Sequence, residues 1–572
     1  MYGLPAQGRI INQTTLLAMK KNHLISSFLV IFFLLIQGEN VVAQNGAKRN
    51  LNITTDGLSY VTGEQVWCSF AMTEAGSGSH SNLGHIIYGA LLNDKGSSII
   101  QARLSVRDGI ATGFIPLPAS LVSGIYLITA ITGDPSITAS LKPILVINPN
   151  KPPVPLKGSP GEINMIPKTS TGTVLVKPFK LQSGKREKVS IDIDAGEQGN
   201  AMLSMSIRRT DALEQFADSL LSGININATM PGNASAATWE GQMIRASIFP
   251  SNGTGPASDV RVYVSVIGTE ARLAEAVSDA NGNLEFLLPI LYADAQLVFI
   301  PMHKNDKGYR IEFNSDVVGE IKGIELPPLI LGEWLAGPIG SRIIEAQAQV
   351  SYRPEEKSRL VFNNPDTTDF YGRPDKRYML DDYIRFPNME EIITEFIGEV
   401  RIRKNGEITE LQVYNTPYKK YFEEPALVLI DGIPVTDVRQ LMDLDPLKLQ
   451  SIDVVSRRFF MGTNSYQGII HYKSYLGNLG GYTLPVDATV YSFEGAQLQT
   501  EYAMPDYSKD TDARIPDFRN LLYWSPMLSI DKKGKGRVEV FSADLDGEYK
   551  ITVNGVSPTG KPLRGEAKIT VN

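Results

Sequence analysis

Short runs in which apolar and polar residues alternate, separated by clusters of Gly, Asn, Asp and Ser, recur along this chain from about Leu51 onward. Alternation puts successive side chains on opposite faces of an extended backbone, so the pattern predicts half-buried strands joined by tight turns. In residues 51–150 the turns fall at Thr62-Gly63, Asn93-Asp94-Lys95-Gly96, Arg107-Asp108-Gly109 and Ser123-Gly124, the spacing of an antiparallel β-sandwich. Residues 160–210 read as a second sandwich with strands at 186–193 and 201–207, followed by a short helix over 211–223 and a polar loop over 225–238. Residues 239–326 predict a third, with a strand at 260–267 and then a strand, "D-x-x-G" turn and strand over 277–286. Residues 326–371 read as an irregular connector, and the proline-rich 149–155 as a stiff linker. Residues 515–572 form a last sandwich with strands at 538–541 and 549–553.

Between these lies a segment of different character, residues 375–475, which predicts a small α+β domain. It opens on a helix capped by Asn388. A buried strand, Leu427 to Ile430, then runs into a turn where Asp431 can bond its own backbone, Gly432 supplies a positive φ and Pro434 fixes the exit. Ser451 to Val455 and Gly468 to Tyr472 are two further short strands, with Asp443 or Asp445 able to cap a helical turn at Pro446.

Composition supports several β-rich domains, with 42% hydrophobic residues, 50 glycines and 34 prolines in 572 residues. Residues 1–43 predict a signal peptide: Met19-Lys20-Lys21, an apolar run from Leu24 to Ile36 too short to span a bilayer, then Val41-Val42-Ala43 before Gln44. Its removal takes a net +2 (Arg9, Lys20, Lys21, Glu39) from a chain of −7, leaving −9. That acidity disfavours nucleic acid and anionic membrane as partners. No cysteine stands at the cleavage site to carry a lipid. The sole cysteine, Cys68, allows no internal disulfide and reads as core.

The order strand, Asp431-Gly432-Ile433-Pro434 turn, Ser451 to Val455 strand and Gly468 to Tyr472 strand resembles the plug domain of TonB-dependent outer-membrane receptors. The run from Phe460 to Ile470 is a looser match that keeps Gly462 and Gly468. Roughly a hundred residues follow it, too few for a receptor's barrel. Residues 51–150, through Thr55-Asp56, Tyr60, Gly63-Glu64, Val66-Trp67 and Tyr126, resemble the MG2 domain of alpha-2-macroglobulin-like proteins. Residues 239–326 resemble the carboxypeptidase regulatory-like sandwich, and Leu522-Tyr523-Trp524, Asp531, Gly534 and Tyr549 resemble a terminal immunoglobulin-like module. These resemblances imply a mainly β chain of tandem Ig-like and macroglobulin-like sandwiches with one plug-like domain.

Catalytic signals are absent from the sequence. His80 and His85 lie on a polar loop without the "H-E-x-x-H" spacing, while His303 and His471 have no partner in sequence. There is no nucleophile elbow in a strand-to-helix context, no Walker loop and no Rossmann fingerprint. Asp366, Asp369, Asp381 and Asp382 read as solvated surface. Ala195-Gly196-Glu197-Gln198 holds alanine where a macroglobulin thioester needs a thiol.

The expectation is therefore a non-enzymatic exported protein without cofactor or metal and without a transmembrane span of its own. It is placed in the periplasm against the outer membrane, or at the cell surface. Its plug-like domain is expected to bind or occlude a separate outer-membrane β-barrel channel, or that channel's transport or secretion machinery. The candidate contacts are Asp431, Gly432, Ile433, Pro434, Phe459 and Phe460. A surface adhesin or structural stalk is the alternative, and a protease trap lacking its thioester a third reading.

Overall fold

The computed structural model describes residues 49–74, 86–131, 137–138, 140–151, 173–198, 201–224, 226, 241–253, 255–302, 308–314, 321–352, 359–360, 368–406, 408–462, 464–498, 500–508 and 514–572. The signal peptide, the loop bearing His80 and His85, His303, Asp366, most of the 149–155 linker and nearly all of the 225–238 loop lie outside these residues. Among the described residues no helix is long and apolar enough to cross a membrane.

The first sandwich forms as its alternation predicts. Strands from Arg49–Thr55 to Lys142–Ile147 close over Tyr60, Cys68, Phe70, Leu91, Leu104, Tyr126 and Ile144. Cys68 is fully buried, and burial pushes its thiol well above the ordinary range, so it is core and not a nucleophile.

The segments predicted as second and last sandwiches are two halves of one. Lys188–Asp194 pairs antiparallel with Lys535–Phe541 along its full length, and Met202–Arg209 lies between Gly547–Val556 and Leu521–Ser525. Both halves share one core of Val189, Ile191, Leu203, Ile207, Val540, Tyr549, Ile551 and Ile569. Neither half has strands enough to cover both faces of its own sheet, and the missing face is supplied from more than three hundred residues away. Alternation identifies a strand but not its partner. Ala195 to Gln198 is a polar turn at one end of this sandwich, where the Gly196 N–H donates to Asp194 Oδ1 at 2.9 Å.

The third sandwich is also completed from a distance. Arg272–Val277, Arg261–Val266 and Asp294–Met302 make a sheet whose fourth strand, Thr489–Glu494, comes from beyond residues 375–475 and inserts Phe493 into the core. Its predicted turn is sound: Asp279 accepts from the N–H groups of Asn281 and Asn283, and Gly282 has φ 76°.

Helix α1, Ala212–Ser222, starts where predicted, with the Asp211 side chain accepting from the Glu214 N–H. Helix α2, Ala336–Tyr352, falls in the supposed connector. Gly337, Pro338 and Gly340 look like breakers, yet Pro338 sits in the first turn, where a missing N–H costs nothing. The two helices pack together over Leu213, Ala217, Leu221 and Leu335.

The α+β domain has a mixed sheet in the order Lys376–Met379, Leu449–Val455, Ile469–Ser474, Leu427–Ile430, Ile433–Pro434. Leu427–Ile430 runs parallel to Ile469–Ser474. Helices α3, Met389–Phe396, and α4, Val438–Met442, cover one side with Ile392, Ile393 and Leu441. Asn388 caps α3, and Asp445, not Asp443, caps the turn at Pro446. The chain from Arg49 to Asn572 behaves as one compact unit.

Candidate functional site

The turn at the tip of the α+β domain's sheet is a two-residue hairpin with φ 44° at Asp431 and 81° at Gly432, the mirror-image turn whose twist matches its strands. Asp431 does not bond its own turn. Its carboxylate accepts from the Ser474 N–H at 2.7 Å, the Ser474 hydroxyl at 2.6 Å and the Leu479 N–H at 2.6 Å, tying the hairpin to the end of Ile469–Ser474. The hairpin tip then runs into the third sandwich. A Cβ on Gly432 would come within 3.2 Å of Ala271 Cα and of the Val266 carbonyl, and the Ser265 hydroxyl donates to the Gly432 carbonyl. Gly432→Ala is expected to cost about 1–3 kcal/mol, from the positive φ and the close backbone together. Equilibrium urea denaturation checks this, and a loss under about 0.5 kcal/mol would mean the turn is not held against the sandwich.

A second contact reinforces the seam. The hairpin Phe459–Met461 with Asn464–Tyr466 packs beside the same sandwich, where Tyr466 and Asn464 both bond Glu275 and the Tyr263 and Tyr466 hydroxyls meet at 2.8 Å. Phe459 stacks edge-on against Phe370 with ring centroids 5.4 Å apart. Five of the six residues expected to touch a partner are thus engaged within the chain. Asp431, Gly432, Ile433 and Pro434 are buried and Phe459 is half-buried, while Phe460 stays exposed. The turn is an interface, but its partner is the chain's own third sandwich.

Behind the turn lies a polar cluster that sequence reasoning missed. The Gly432 N–H donates to His471 Nε2 at 3.0 Å, so the ring proton sits on Nδ1, facing the Tyr371 hydroxyl at 2.8 Å; that hydroxyl in turn donates to Asp453 Oδ2 at 3.0 Å. Arg377 grips Asp453 with two bonds of 2.6 and 2.7 Å, and Lys473 bridges to Asp369 at 2.8 Å. Asp369 also accepts the Ala271 N–H of the neighbouring sandwich at 2.7 Å. Asp369 was expected to be solvated surface and is instead buried, because Lys473 and the Ala271 N–H replace its water. The available signal was Asp453, His471 and Lys473 placed among the buried apolar residues of strands 449–455 and 469–474.

Asp369, Asp453 and His471 lie close enough together to hold a metal ion. Their donor atoms are already satisfied by protein. Both ring nitrogens are engaged, and two carboxylates face two cations. The arrangement is a charge-balanced, hydrogen-bonded network at the seam of two domains.

Burial lowers the His471 pKa to about 3, with Lys473 adding repulsion. A histidine depressed in the fold binds fewer protons there than when unfolded, so its contribution is fully present above about pH 6.5 and is lost as pH falls toward 3. Replacing His471 by Gln is expected to flatten the stability–pH curve across that window, measured by denaturation at several pH values. An unchanged slope would contradict the assignment.

On the outward side of the same domain, Arg385 gathers three loops. Its guanidinium donates to the Pro446 and Leu449 carbonyls at 2.6 and 3.0 Å, to Asp381 at 2.6 Å and to the Tyr475 hydroxyl at 2.7 Å. Beside these anchors stand Ile384, Leu447 and Leu476, exposed by 83%, 65% and 79%. Large apolar side chains so exposed, on loops fixed by hydrogen bonds, make this face a candidate contact surface.

No protein-family model matches the chain, and no curated protein does. Among solved structures it is similar to Salmonella alpha-2-macroglobulin at 11% identity, covering 93% of this chain and 40% of that one, with a TM-score of 0.23. It is similar to native Escherichia coli alpha-2-macroglobulin at 9% identity, with 93% and 40% covered and a TM-score of 0.24. It is similar to the Escherichia coli adhesin FdeC at 12% identity, with 49% and 63% covered and a TM-score of 0.14. The chain spans about two-fifths of the length of the macroglobulins it matches. Scores this low carry no argument about function. The chain's own architecture is mainly β, a set of interlocked β-sandwiches carrying one α+β domain.

Proposed function

We propose that this chain is a non-catalytic binding protein of a Gram-negative envelope, acting in the periplasm against the outer membrane. Its plug-like domain docks on a separate β-barrel channel or on that channel's transport or secretion machinery. The observation that carries this reading is the exposed apolar set Ile384, Leu447 and Leu476, on a domain whose turn side is seated on the chain's own sandwich. The contact surface is therefore assigned to these loops, with Phe460 as an outlying anchor, and not to Asp431–Pro434. Supporting the non-catalytic part, the buried His–Tyr–Asp cluster is saturated internally.

The stalk alternative fits less well. A stalk strings sandwiches in sequence order, whereas two of these sandwiches are each built from segments far apart in the chain. The test is a tagged pull-down from detergent-solubilised envelopes after mild crosslinking. Ile384→Glu with Leu476→Glu is expected to abolish crosslinks to an outer-membrane barrel while leaving the melting temperature unchanged. Crosslinks that survive the double change, or that arise only from residues 51–150, would sink the proposal.

A further inference from the structure

A cleft of about 450 Å³ opens where the first sandwich, the discontinuous sandwich and the last turns of α2 meet. Clefts of this size at domain junctions are where small ligands bind. Trp67 and Tyr502, edge to face at 5.7 Å, supply an aromatic wall, and Val61, Ile343, Val350 and Leu521 an aliphatic one.

The polar lining is one-sided in what it leaves free. Arg519 is bound to Asp517 at 2.8 Å and Arg208 to Asp56 at 2.5 Å, while Gln349 already accepts the Phe518 N–H. Asn520, 7% exposed, has an Oδ1 with no hydrogen-bond partner, and Gln65 Oε1 is in the same state. Both residues line the cleft. A buried acceptor left unpaired is costly, so it signals a missing donor. A donor without a hydrogen bond, Arg208 Nε, lies 3.9 Å from Glu214 and against Gly57, where a Cβ would come within 2.6 Å of it.

Charge points the same way. Behind the cleft, among the described residues, Asp56, Glu64, Asp211 and Glu214 form ion pairs with Arg208 and Arg342, and Lys142 stands within electrostatic reach of Asp56 and Glu214, four carboxylates against three cations. Glu64 itself lines the opening. Unpaired acceptors, a surplus of negative charge, an aromatic face and aliphatic walls together complement a nitrogen cation on a short apolar stem.

We infer that this cleft binds a guanidinium or amine carried on a short aliphatic chain, as a free solute or as a basic side chain. The ligand head donates to Asn520 and Gln65 beside Glu64, and its stem lies along Val350 and Ile343. This site is separate from the exposed loops of the plug-like domain and stands independently of the function proposed for them.

Isothermal titration of the intact chain with N-acetylarginine amide tests it, with N-acetylcitrulline amide as the neutral isostere and N-acetylglutamate amide as the anion. Saturable binding is expected for the arginine probe, at least tenfold weaker for citrulline and none for glutamate. Gln347→Trp, at an exposed lining position on α2, is expected to abolish binding with melting unchanged. Agmatine binding as tightly as the arginine probe would identify a free solute, and tighter binding of an Ala-Arg-Ala peptide a chain-borne side chain. No saturable heat, equal binding of citrulline, or binding retained in Gln347→Trp would overturn the inference.

Discussion

Arg208→Met is expected to lower stability by about 3–5 kcal/mol, the cost of leaving one member of a buried ion pair unpaired. Arg208 sits on the discontinuous sandwich and reaches into the first, where it meets Asp56 at 2.5 Å and the Ser59 carbonyl at 2.9 Å beneath the Tyr60 ring. Asp56 is 2% exposed and also accepts the Tyr60 hydroxyl and the Trp67 N–H. Burial raises its pKa to about 6, against the opposing pull of Arg208. Without Arg208 that carboxylate has no counter-charge, and its pKa climbs further. A carboxyl raised in the fold binds protons more readily there than when unfolded, so its penalty applies above the folded pKa and fades as pH falls. The deficit of the variant should therefore be largest at pH 8 and smaller at pH 5. Urea denaturation at both values checks it, and a deficit below about 1 kcal/mol at pH 8 would mean that the pair is not buried as described.

The second large effect is at the seam. Asp453→Ala removes the carboxylate that receives Arg377, faces Lys473 at 3.6 Å and accepts the Tyr371 hydroxyl. About 3 kcal/mol is expected, the lower end of the range for broken buried pairs, because Arg377 is 46% exposed and partly rehydrates. The form of the loss is more telling than its size. The seam fastens the α+β domain to the third sandwich, so the variant should melt in two calorimetric steps where the native chain melts in one. A single step with unchanged midpoint would show that the network contributes nothing to domain coupling.

How far the sequence carried the account follows from what each signal measures. Local signals held: the Asp211 and Asn388 caps start their helices, and the Asp431-Gly432 pair makes its turn. Non-local pairing was not legible, since nothing in residues 188–194 names 535–541 as their partner. The site was misjudged for a related reason. Asp431-Gly432-Ile433-Pro434 is turn-forming, which reads as surface, but its carboxylate serves Ser474 and Leu479 and its glycine is needed for close approach to Ala271. Tyr371 and Asp453, like Arg208 and Asp56, are ordinary residues in sequence; only the fold brings each pair together, the second across a domain boundary.

The Asp431-Gly432 turn is seated within the chain, and native-state hydrogen exchange measures that directly. The amides to follow are Gly432, which donates to His471, and Ala271, which donates to Asp369 across the seam. Both should exchange only through global unfolding, with protection matching the free energy found by denaturation. Exchange at either amide within seconds at neutral pH, while Ile470 and Ile452 in the domain core stay protected, would contradict it and free the turn for a partner outside the chain.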